Sequence, residues 1–290
     1  MGDLTLGQAM AWARRELRDH SESPARDASV LLSHLLGESS EYPYLHPEIV
    51  LTKEQENRYR SLVERRRNGE PVAYIRGYQE FMGLRFSVDN RVLIPRPETE
   101  LLVEKVLSIL GDRRETVVAD VGCGSGAIGL SLAKLGGYQV VLTDSSSEAL
   151  SVARFNADNL EVSSNVSFLH GDLLVPLYSR GYAGRLDALV SNPPYIPDGE
   201  MASLPKEVGF EPQSALDGGP GGLRYIRRLV EDAGNLLKDA GWLVIEIEAG
   251  QGAAVRRLLA DHNWENISIS PDYAGKDRIA AAMVRQRDKN

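Results

Sequence analysis

From about residue 97 to the end of the chain, short apolar runs alternate with amphipathic segments. Five runs are predicted strands, and helical patterns separate most of them: "TVVADVG", "YQVVLTD", "NVSFLHGD", "RLDALVSN" and "GWLVIEIE". Parallel strands need long crossover connections, so this order predicts a mostly parallel sheet covered by helices on both faces. The last two predicted strands, "ENISIS" and "DRIAAAMV", have only a short link and should be antiparallel. The fold class is therefore α/β.

The first seventy residues have a helical pattern instead. Apolar side chains recur at helical spacing between residues 4 and 20. A second helix is predicted to begin at Ser23, with a proline in its first turn, and to end at Gly37. A third is predicted to begin at Thr52, which acidic and amide residues follow. These residues, 1–70, are predicted to form a small all-helical domain.

A linking segment connects the two patterns. Residues 71–94 alternate apolar and polar side chains, with Gly83 near the middle, which is typical of a β-hairpin. The sequence "PRPETE" follows, in which prolines break the chain and acids favour the start of a helix. We interpret residues 71–96 as a β-hairpin hinge between the helical domain and a larger domain at residues 97–290.

The composition is that of an ordinary globular protein, with 42% hydrophobic and 26% charged residues. No run approaches the roughly 18 uncharged apolar residues that span a membrane, and the first twenty residues mix acids with bases, unlike a signal peptide. The single cysteine, Cys123, excludes an internal disulfide and a cysteine-cluster metal site. We interpret it as a small packing residue and expect a cytoplasmic protein without a membrane partner.

Two common kinds of catalytic site have no sequence signal. The five histidines lack metal-ligand spacing, and no H-E-x-x-H motif occurs. A triad hydrolase would need a nucleophile elbow such as G-x-S-x-G, which is also missing. We therefore expect neither a metal ion nor hydrolysis.

The net charge of −8 disfavours a partner that is held mainly through its phosphate backbone. The most basic stretch, "ERRRNG" at residues 64–69, has two interpretations. It is either a nucleic-acid patch or the solvated end of a helix, where arginines favour the C-terminal dipole and Gly69 ends the helix. We prefer the second interpretation and expect no stable nucleic-acid partner.

A glycine-rich turn follows the first predicted strand of the sheet. In "VVADVGCGSGAIGL", Gly122, Gly124 and Gly126 allow a tight turn and let a ligand approach the backbone at the start of the next helix. Asp144, at the end of "VVLTD", is placed to accept hydrogen bonds from ribose hydroxyls. Gly122, Gly124 and Ala127 also match the looser dinucleotide pattern G-x-G-x-x-A. The turn therefore fits either a dinucleotide or another adenosine-containing cofactor.

The sequence "SNPPY", residues 191–195, follows the fourth predicted strand. Two prolines end a strand, but a plain turn needs neither an asparagine amide nor a tyrosine ring beside them. The loop should lie at the carboxyl edge of the sheet, close to the glycine turn. Asn192 Oδ1 and the Pro193 carbonyl can both accept hydrogen bonds from an NH₂ group, and Tyr195 can pack against the flat group that carries it. A plain proline turn is the alternative.

The motifs "DVGCGSG", "GDL" at residues 171–173 and "NPPY", together with Asp144, resemble those of S-adenosylmethionine-dependent amino-methyltransferases with a seven-stranded Rossmann-like fold. Longer segments narrow the resemblance. "PVAYIRGYQEFMGLRFSVDNRVLIPRPETELLVE", "SNPPYIP" and "EPQSALDGGPGGLRYIRRL" are similar to the HemK/PrmC family, the peptide chain release factor glutamine methyltransferases, over most of the chain. Two positions depart from the family pattern. "GCGSG" has cysteine where threonine is expected, and "GGPGGL" has glycine where aspartate is usual.

The resemblance implies a class I methyltransferase domain, a helical domain that docks the substrate, and a defined reaction. S-adenosylmethionine would be the cofactor, and its methyl group would pass to the side-chain amide nitrogen of the glutamine in the Gly-Gly-Gln motif of class I peptide chain release factors. The cofactor would contact Gly122, Cys123, Gly124, Ser125, Gly126, Asp144, Leu173 and Asn192. The glutamine would be held by Asn192, Pro193, Pro194 and Tyr195, of which Asn192, Pro193 and Tyr195 would serve catalysis.

Three other functions were weighed against this one. Amino-methylation of adenine in DNA or RNA would suit "NPPY", since such enzymes flip the base out of the stack, but the chain is acidic and has no basic target-recognition domain. An NAD-dependent dehydrogenase would explain the glycines and leave "NPPY" unexplained. A binding protein without catalysis would not need an acceptor loop beside the glycine turn. Arg96 and Glu98 receive no catalytic role, because capping and hinge packing explain them equally well.

Overall fold

The computed structural model describes residues 4–113 and 115–285. These residues form two compact units. The first contains the described residues up to Tyr78 together with Pro205–Phe210, and the second contains Gln79–Leu204 and the described residues from Glu211 onward. None of the helices in the described ranges is long and apolar enough to cross a membrane.

The first unit is helical. Its helices are α1 (Leu6–Glu16), α2 (Pro24–Leu36), α3 (Tyr42–Leu45), α4 (Lys53–Arg67) and α5 (Val72–Arg76). Thr5 and Thr52 each close a capping box with a glutamine three residues on, and Gly37 ends α2 in the left-handed conformation. Ser23 occupies the predicted N-cap position of α2, although its side chain makes no capping bond. Leucines and alanines of α1 and α2 pack with Tyr59 and Val63 of α4 to form the core.

The basic stretch lies at the end of α4, as in the interpretation that we prefer, but it is only partly solvated. Arg65 pairs with Glu70, and Arg67 pairs with Glu16 and Glu64. Arg66 is buried and bonds to Asp27 and Glu207. Because each of these three arginines has an acidic partner, the stretch is a network of ion pairs and not a free cationic surface.

The hairpin is shorter than the alternation of residues 71–94 predicted. The segment begins with helix α5, which Gly77 ends in the left-handed conformation. Strands β1 (Tyr78–Phe81) and β2 (Leu84–Ser87) then form a two-stranded sheet. Met82 and Gly83 between them have φ of 53° and 70°, as the two central residues of a tight hairpin turn require.

The second unit contains a seven-stranded sheet with helices on both faces. After the hairpin the elements are α6 (Glu100–Leu110), β3 (Val117–Val121), α7 (Ala127–Gly136), β4 (Gln139–Asp144), α8 (Ser147–Asn159), β5 (Val166–His170), α9 (Val175–Ser179), β6 (Leu186–Ser191), α10 (Arg224–Asp232), β7 (Leu237–Glu246), α11 (Gly252–Asp261), β8 (Trp264–Pro271) and β9 (Asp277–Val284). The strand order is β5-β4-β3-β6-β7-β9-β8. The first five of these strands are parallel, and β9 is antiparallel to both β7 and β8. The predicted Rossmann-like class I methyltransferase fold is confirmed.

Two details of the second unit differ from the sequence prediction. The sequence "GLRYIRRLVEDAGNLLKD", residues 222–239, has a pattern that predicts one helix, but α10 ends at Asp232 and strand β7 already begins at Leu237. Ala240 has φ of 58° within that strand, and the pairing of β6 with β7 is irregular at this point. Helix α9 between β5 and β6 is short and was not predicted. The first difference arises where pairing of β7 with β6 overrides local helix preference.

Candidate active site

The two predicted loops leave neighbouring strands at the same edge of the sheet. Strand β3 pairs in parallel with β4 on one side and β6 on the other, so the strand order reverses there. Such a reversal opens a crevice at the carboxyl ends of the strands. Ser191 Oγ at the end of β6 donates a 2.6 Å hydrogen bond to the Val121 carbonyl at the end of β3. This bond holds the start of the "NPPY" loop beside the start of the glycine turn.

The glycine turn needs its glycines for two different reasons. Gly122, Gly124 and Gly126 have φ of 73°, 53° and 82°, in the left-handed region. A Cβ on Gly126 would lie 2.8 Å from Leu130 Cδ1, so this glycine permits close packing at the start of α7. A Cβ on Gly122 or Gly124 would meet no neighbouring atom within 4 Å. Those two glycines therefore leave open space above the turn, as a ligand site requires.

Asp144 lies at the end of β4 and closes the turn. Its Oδ2 accepts a 2.9 Å hydrogen bond from the Gly124 amide, and its Oδ1 accepts a 2.8 Å bond from the Ser146 amide. Each carboxylate oxygen has a second lone pair, so the side chain can still accept from ligand hydroxyls. The backbone bonds fix the orientation of the carboxylate before any ligand arrives.

A cavity of about 320 Å³ opens between the two loops. Gly122, Gly124, Asp144, Leu173, Asn192 and Pro194 are the predicted site residues on its wall. Further lining residues that the sequence did not suggest come from Asn90–Leu93 and from Pro212, Ser214, Ala215 and Tyr225. Cys123, Ser125, Gly126, Pro193 and Tyr195 do not line it, although they lie in the two loops. The structure thus brings both predicted loops to one cavity, and only some of their residues to its surface.

Cys123 and Ser125 are buried within the glycine turn. Burial raises the pKa of the Cys123 thiol well above its usual value, and the nearby carboxylates of Asp120 and Asp144 add to that effect. A thiol held in its protonated form is a weak nucleophile. The Ser125 carbonyl accepts a 2.9 Å bond from Asn156 Nδ2. The structure therefore supports the interpretation of Cys123 as a packing residue.

A second acid lies under the turn. Asp120 in β3 is fully buried, and this burial raises its pKa to about 7. Its Oδ2 accepts a 2.8 Å bond from the Gly129 amide, which favours the charged form, while Asp144 raises the pKa further. Asp120 Oδ1 is buried without a hydrogen-bond partner among the described residues.

The "NPPY" loop, residues 192–195 and here called the acceptor loop, is held by hydrogen bonds from its side chains to neighbouring elements. Asn192 Nδ2 donates a 3.2 Å hydrogen bond to Thr99 Oγ1, at the start of α6. The Tyr195 hydroxyl donates a 3.2 Å bond to Glu246 Oε1, at the end of β7. Burial raises the pKa of Glu246, and the hydrogen bond from Tyr195 partly offsets this effect. This buried carboxylate thus holds the Tyr195 end of the "NPPY" loop.

The loop "GGPGGL", residues 218–223, packs directly against the acceptor loop. A Cβ on Gly218 would lie 2.7 Å from Tyr195 Cα, and a Cβ on Gly222 would overlap the Tyr195 carbonyl oxygen. Backbone bonds join Ile196 to the same loop, with its amide donating to the Leu216 carbonyl and its carbonyl accepting from the Gly218 amide. A Cβ on Gly221 would meet nothing within 4 Å. Gly221 therefore has room for a side chain, although its φ of 61° favours glycine.

Arg96 and Glu98, to which the sequence assigned no catalytic role, have different environments. Arg96 forms an ion pair with the buried carboxylate of Glu211, which also accepts a 3.1 Å bond from the Ile94 amide. Glu98 is exposed, and its charge raises the pKa of Glu246. Arg96 therefore secures the segment that precedes α6.

No pattern in the sequence marks Thr99, Asp120 or Glu246 as site residues. Asp120 stands in the quoted glycine motif, and Thr99 in "PRPETE", but neither burial nor a distant partner can be recognised in a motif. The only available signal was position, since all three lie at or near the ends of predicted elements at the carboxyl edge of the sheet.

Comparison with solved structures supports the fold. A methyltransferase from Pyrococcus furiosus superposes with a TM-score of 0.53 at 16% identity, covering 70% of this chain and 90% of that one. At this identity the similarity concerns the fold alone.

Family models and curated relatives are more specific. Residues 8–77 match the PrmC N-terminal domain, and residues 97–206 match the methyltransferase small domain. The release factor glutamine methyltransferase of Moorella thermoacetica is 43% identical over 98% of this chain and 100% of its own length. The enzyme of the same name from Vibrio cholerae is 40% identical over 97% of this chain and 98% of its own length. With both loops at one cavity and similarity over nearly the full length, the chain belongs to the release factor glutamine methyltransferase family.

Proposed function

We propose that this enzyme transfers the methyl group of S-adenosylmethionine to the side-chain amide nitrogen of the glutamine in the Gly-Gly-Gln motif of class I peptide chain release factors. One observation carries the proposal. Asn192 lines the same cavity as Gly122, Gly124 and Asp144, and its amide is bonded only through Nδ2 in the described part of the chain. An amide acceptor therefore stands beside a turn that is open to a cofactor.

The cavity fits an adenosine-containing cofactor. Gly122 and Gly124 leave open space at the backbone, and Asp144 presents a fixed carboxylate to ribose hydroxyls. Leu173, with φ of 44°, supplies an apolar wall beside them. We assign the remaining residues of the turn, Cys123, Ser125 and Gly126, to its shape, because they do not line the cavity. When bound, the cofactor supplies a methyl group on a positively charged sulfur.

The acceptor loop suits a glutamine side chain. An amide nitrogen is a poor nucleophile, because its lone pair is delocalised into the carbonyl. Hydrogen bonds from its NH₂ group to Asn192 Oδ1 and the Pro193 carbonyl would favour a pyramidal nitrogen and direct its lone pair at the methyl group. The same fixed acceptors would stabilise positive charge that develops on nitrogen. Pro194, on the cavity wall, would exclude water from this nitrogen.

The surroundings agree with a reaction that needs no strong base before attack. The residues that line the cavity include neither histidine nor lysine. Alignment within the cavity would supply most of the rate, since effective molarities of well-oriented groups reach about 10⁵ M or more. After methyl transfer the positively charged nitrogen is strongly acidic, so it would lose one of its two protons to solvent.

The helical unit offers a surface for the protein substrate. A cleft of about 660 Å³ is lined by Arg14 and Arg15 of α1, by Arg18 just after this helix, and by Arg26 of α2. None of these four arginines forms an ion pair within the described residues, unlike the arginines at the end of α4. We assign this cleft to docking an acidic surface of the release factor. Because the proposed substrate acts in translation, the enzyme would act in the cytoplasm.

Mass spectrometry of a purified release factor tests the proposal. Incubation with this enzyme and S-adenosylmethionine should add one methyl group to the Gly-Gly-Gln glutamine, and Asn192→Ala should abolish the transfer. S-adenosylhomocysteine should bind in calorimetry, whereas NAD should not. Transfer to adenine in nucleic acid, with none to the release factor, would refute the proposal.

A further inference from the structure

Gln251 joins three loops at the carboxyl edge of the sheet. It lies between β7 and α11, and it is 9% exposed. Its Nε2 donates a 3.2 Å hydrogen bond to the Tyr195 carbonyl and a 3.3 Å bond to the Gly221 carbonyl. Its Oε1 accepts a 2.9 Å bond from the Glu248 amide. One side chain thus bonds to the acceptor loop, to the "GGPGGL" loop and to its own loop.

The three backbone partners allow only one orientation of this side-chain amide. A backbone amide can only donate a hydrogen bond, and a backbone carbonyl can only accept one. With Oε1 facing the Glu248 amide and Nε2 facing the two carbonyls, all three bonds form. Rotating the Gln251 amide by half a turn would oppose donor to donor once and acceptor to acceptor twice, in a buried position where unpaired polar groups are costly. The main chain therefore fixes the Nε2 group as the donor to the acceptor loop.

The bond to Tyr195 acts on the part of the acceptor loop that would meet the substrate. Two prolines precede Tyr195, and neither has an amide proton with which to hold the loop. The Pro193 carbonyl, which would accept a hydrogen bond from the substrate NH₂ group, lies two residues before the carbonyl that Gln251 holds. Because the ring of Pro194 restricts the backbone between these two carbonyls, a displacement of one also displaces the other.

We propose that Gln251 is a positioning residue that fixes the Tyr195 carbonyl and so holds the Pro193 carbonyl in place for the substrate amide. This inference rests on the proposed function for its catalytic meaning. Gln251 does not line the cavity, so it acts through the acceptor loop and not on the cofactor or the substrate directly. Gly222 leaves room for this contact, because a Cβ there would lie 2.6 Å from Gln251 Nε2.

Two substitutions of Gln251 separate its donor group from its shape. Gln251→Met keeps the length of the side chain and removes all three hydrogen bonds. Gln251→Glu keeps an acceptor for the Glu248 amide and places an oxygen atom against both carbonyls. We expect kcat for release factor methylation to fall by roughly ten- to a hundredfold in both variants. The dissociation constant of S-adenosylhomocysteine should stay within twofold of the wild-type value. A Gln251→Glu enzyme with wild-type kcat would overturn the proposal, because that variant lacks the donor.

Tyr138→Phe is the matched control for the loss of a hydrogen bond to a carbonyl. The Tyr138 hydroxyl donates a 2.7 Å bond to the Gly111 carbonyl in the same unit, and neither residue lines the cavity. This variant should unfold at a lower temperature than wild type and keep kcat within twofold. If Tyr138→Phe lowered kcat as much as Gln251→Met at a similar loss of stability, the slower reaction would reflect general destabilisation, and the positioning role would be refuted.

A spectroscopic measurement tests the contact without any activity. The chain contains three Tyr–Ile pairs, at residues 74–75, 195–196 and 225–226. Labelling tyrosine carbonyls with carbon-13 and isoleucine amides with nitrogen-15 therefore gives three carbonyl–amide signals in nuclear magnetic resonance spectra. Ile196→Val removes, and so identifies, the signal that reports the Tyr195 carbonyl. In both Gln251 variants this carbonyl resonance should move upfield, as a carbonyl does when it loses a donor, and the signal of residues 74–75 should not move.

The combined results distinguish this inference from the proposed function. A Tyr195 carbonyl resonance that is unchanged in Gln251→Met would refute the contact, whatever the substrate. A resonance that moves while kcat stays at the wild-type value would refute the positioning role. If the resonance moves but wild type methylates no release factor, the proposed substrate is wrong, and the contact stands without its catalytic meaning.

Discussion

Two adjacent glycines of the "GGPGGL" loop allow a sharp test of how the acceptor loop is supported. Gly221 and Gly222 have φ of 61° and 70°, so a Gly→Ala change causes similar backbone strain at both, about 1–2 kcal/mol. They differ in the space available. A Cβ on Gly221 meets nothing within 4 Å, whereas a Cβ on Gly222 lies 2.6 Å from Gln251 Nε2 and 2.9 Å from the Tyr195 carbonyl carbon. Gly221→Ala is therefore a matched control for Gly222→Ala.

The size of the effect follows from those distances. Carbon atoms pack at about 3.5 Å or more, so Gly222→Ala must displace the Tyr195 carbonyl by roughly half an ångström, and its oxygen by more. Overpacking of this kind costs about 1–3 kcal/mol beyond the backbone strain. Because the displaced carbonyl is two residues from Pro193, and a misplacement of about 1 Å can cost a hundredfold in rate, we expect kcat to fall by roughly 10- to 100-fold.

Both variants should be compared by methylation kinetics and by thermal unfolding. Gly222→Ala should unfold several degrees below Gly221→Ala, at about 2–4 °C for each extra kcal/mol. Gly221→Ala should keep kcat within about twofold of wild type, since it strains the backbone without moving the acceptor loop. If the two variants showed equal kcat, the "GGPGGL" loop would not support the acceptor loop, and the packing argument would be refuted.

Three further predictions concern charge. Burial raises the pKa of Asp120 from 3.8 to about 7, so its contribution to stability is present below pH 4 and is lost as the pH rises towards 7. In urea unfolding, wild type should lose about 4 kcal/mol of unfolding free energy relative to Asp120→Asn across that range. Parallel curves of stability against pH for the two proteins would contradict this. The double variant Arg14→Glu, Arg18→Glu should raise KM for the release factor at least roughly tenfold without changing the affinity for S-adenosylhomocysteine. Arg257→Glu, on an exposed face, should leave this KM unchanged. If both variants raised KM equally, the cleft would not be the docking site. Glu211→Ala removes the ion pair with Arg96 and the hydrogen bond from the Ile94 amide. Calorimetry should therefore show a loss of about 2–4 kcal/mol in unfolding free energy. An unchanged transition would show that this carboxylate is dispensable.

The sequence predicted the features that depend on local pattern. Strand and helix alternation gave the seven strands, and the short link between the last two gave their antiparallel pairing. The glycine turn and the "NPPY" loop were also identified correctly as neighbours, because parallel strands bring their carboxyl ends to one edge. The hairpin was less predictable. Residues 72–76 are mostly apolar, yet they form a single helical turn that Gly77 ends, and so short an apolar run cannot distinguish a strand from a helix.

The support of the site could not be predicted, because it depends on residues that are remote in sequence. Thr99, Asn192 and Glu246 come together only when α6 lies against the ends of β6 and β7. No spacing rule links these three positions. The burial of Asp120 is similar, since the same acid in a glycine motif would be exposed if the turn were built differently.

The chemistry of Glu246 explains why a charged group is useful in this buried position. Burial raises its pKa, so ionisation opposes folding, and a glutamine would fill the same space with less desolvation. A glutamine, however, both donates and accepts, and it would not require the Tyr195 hydroxyl to be the donor. A carboxylate only accepts, and it therefore makes the Tyr195 hydroxyl the donor. Glu246→Gln should consequently be at least as stable as wild type at neutral pH and yet slower, which is the expected compromise where a site requires a group that the fold alone would not favour.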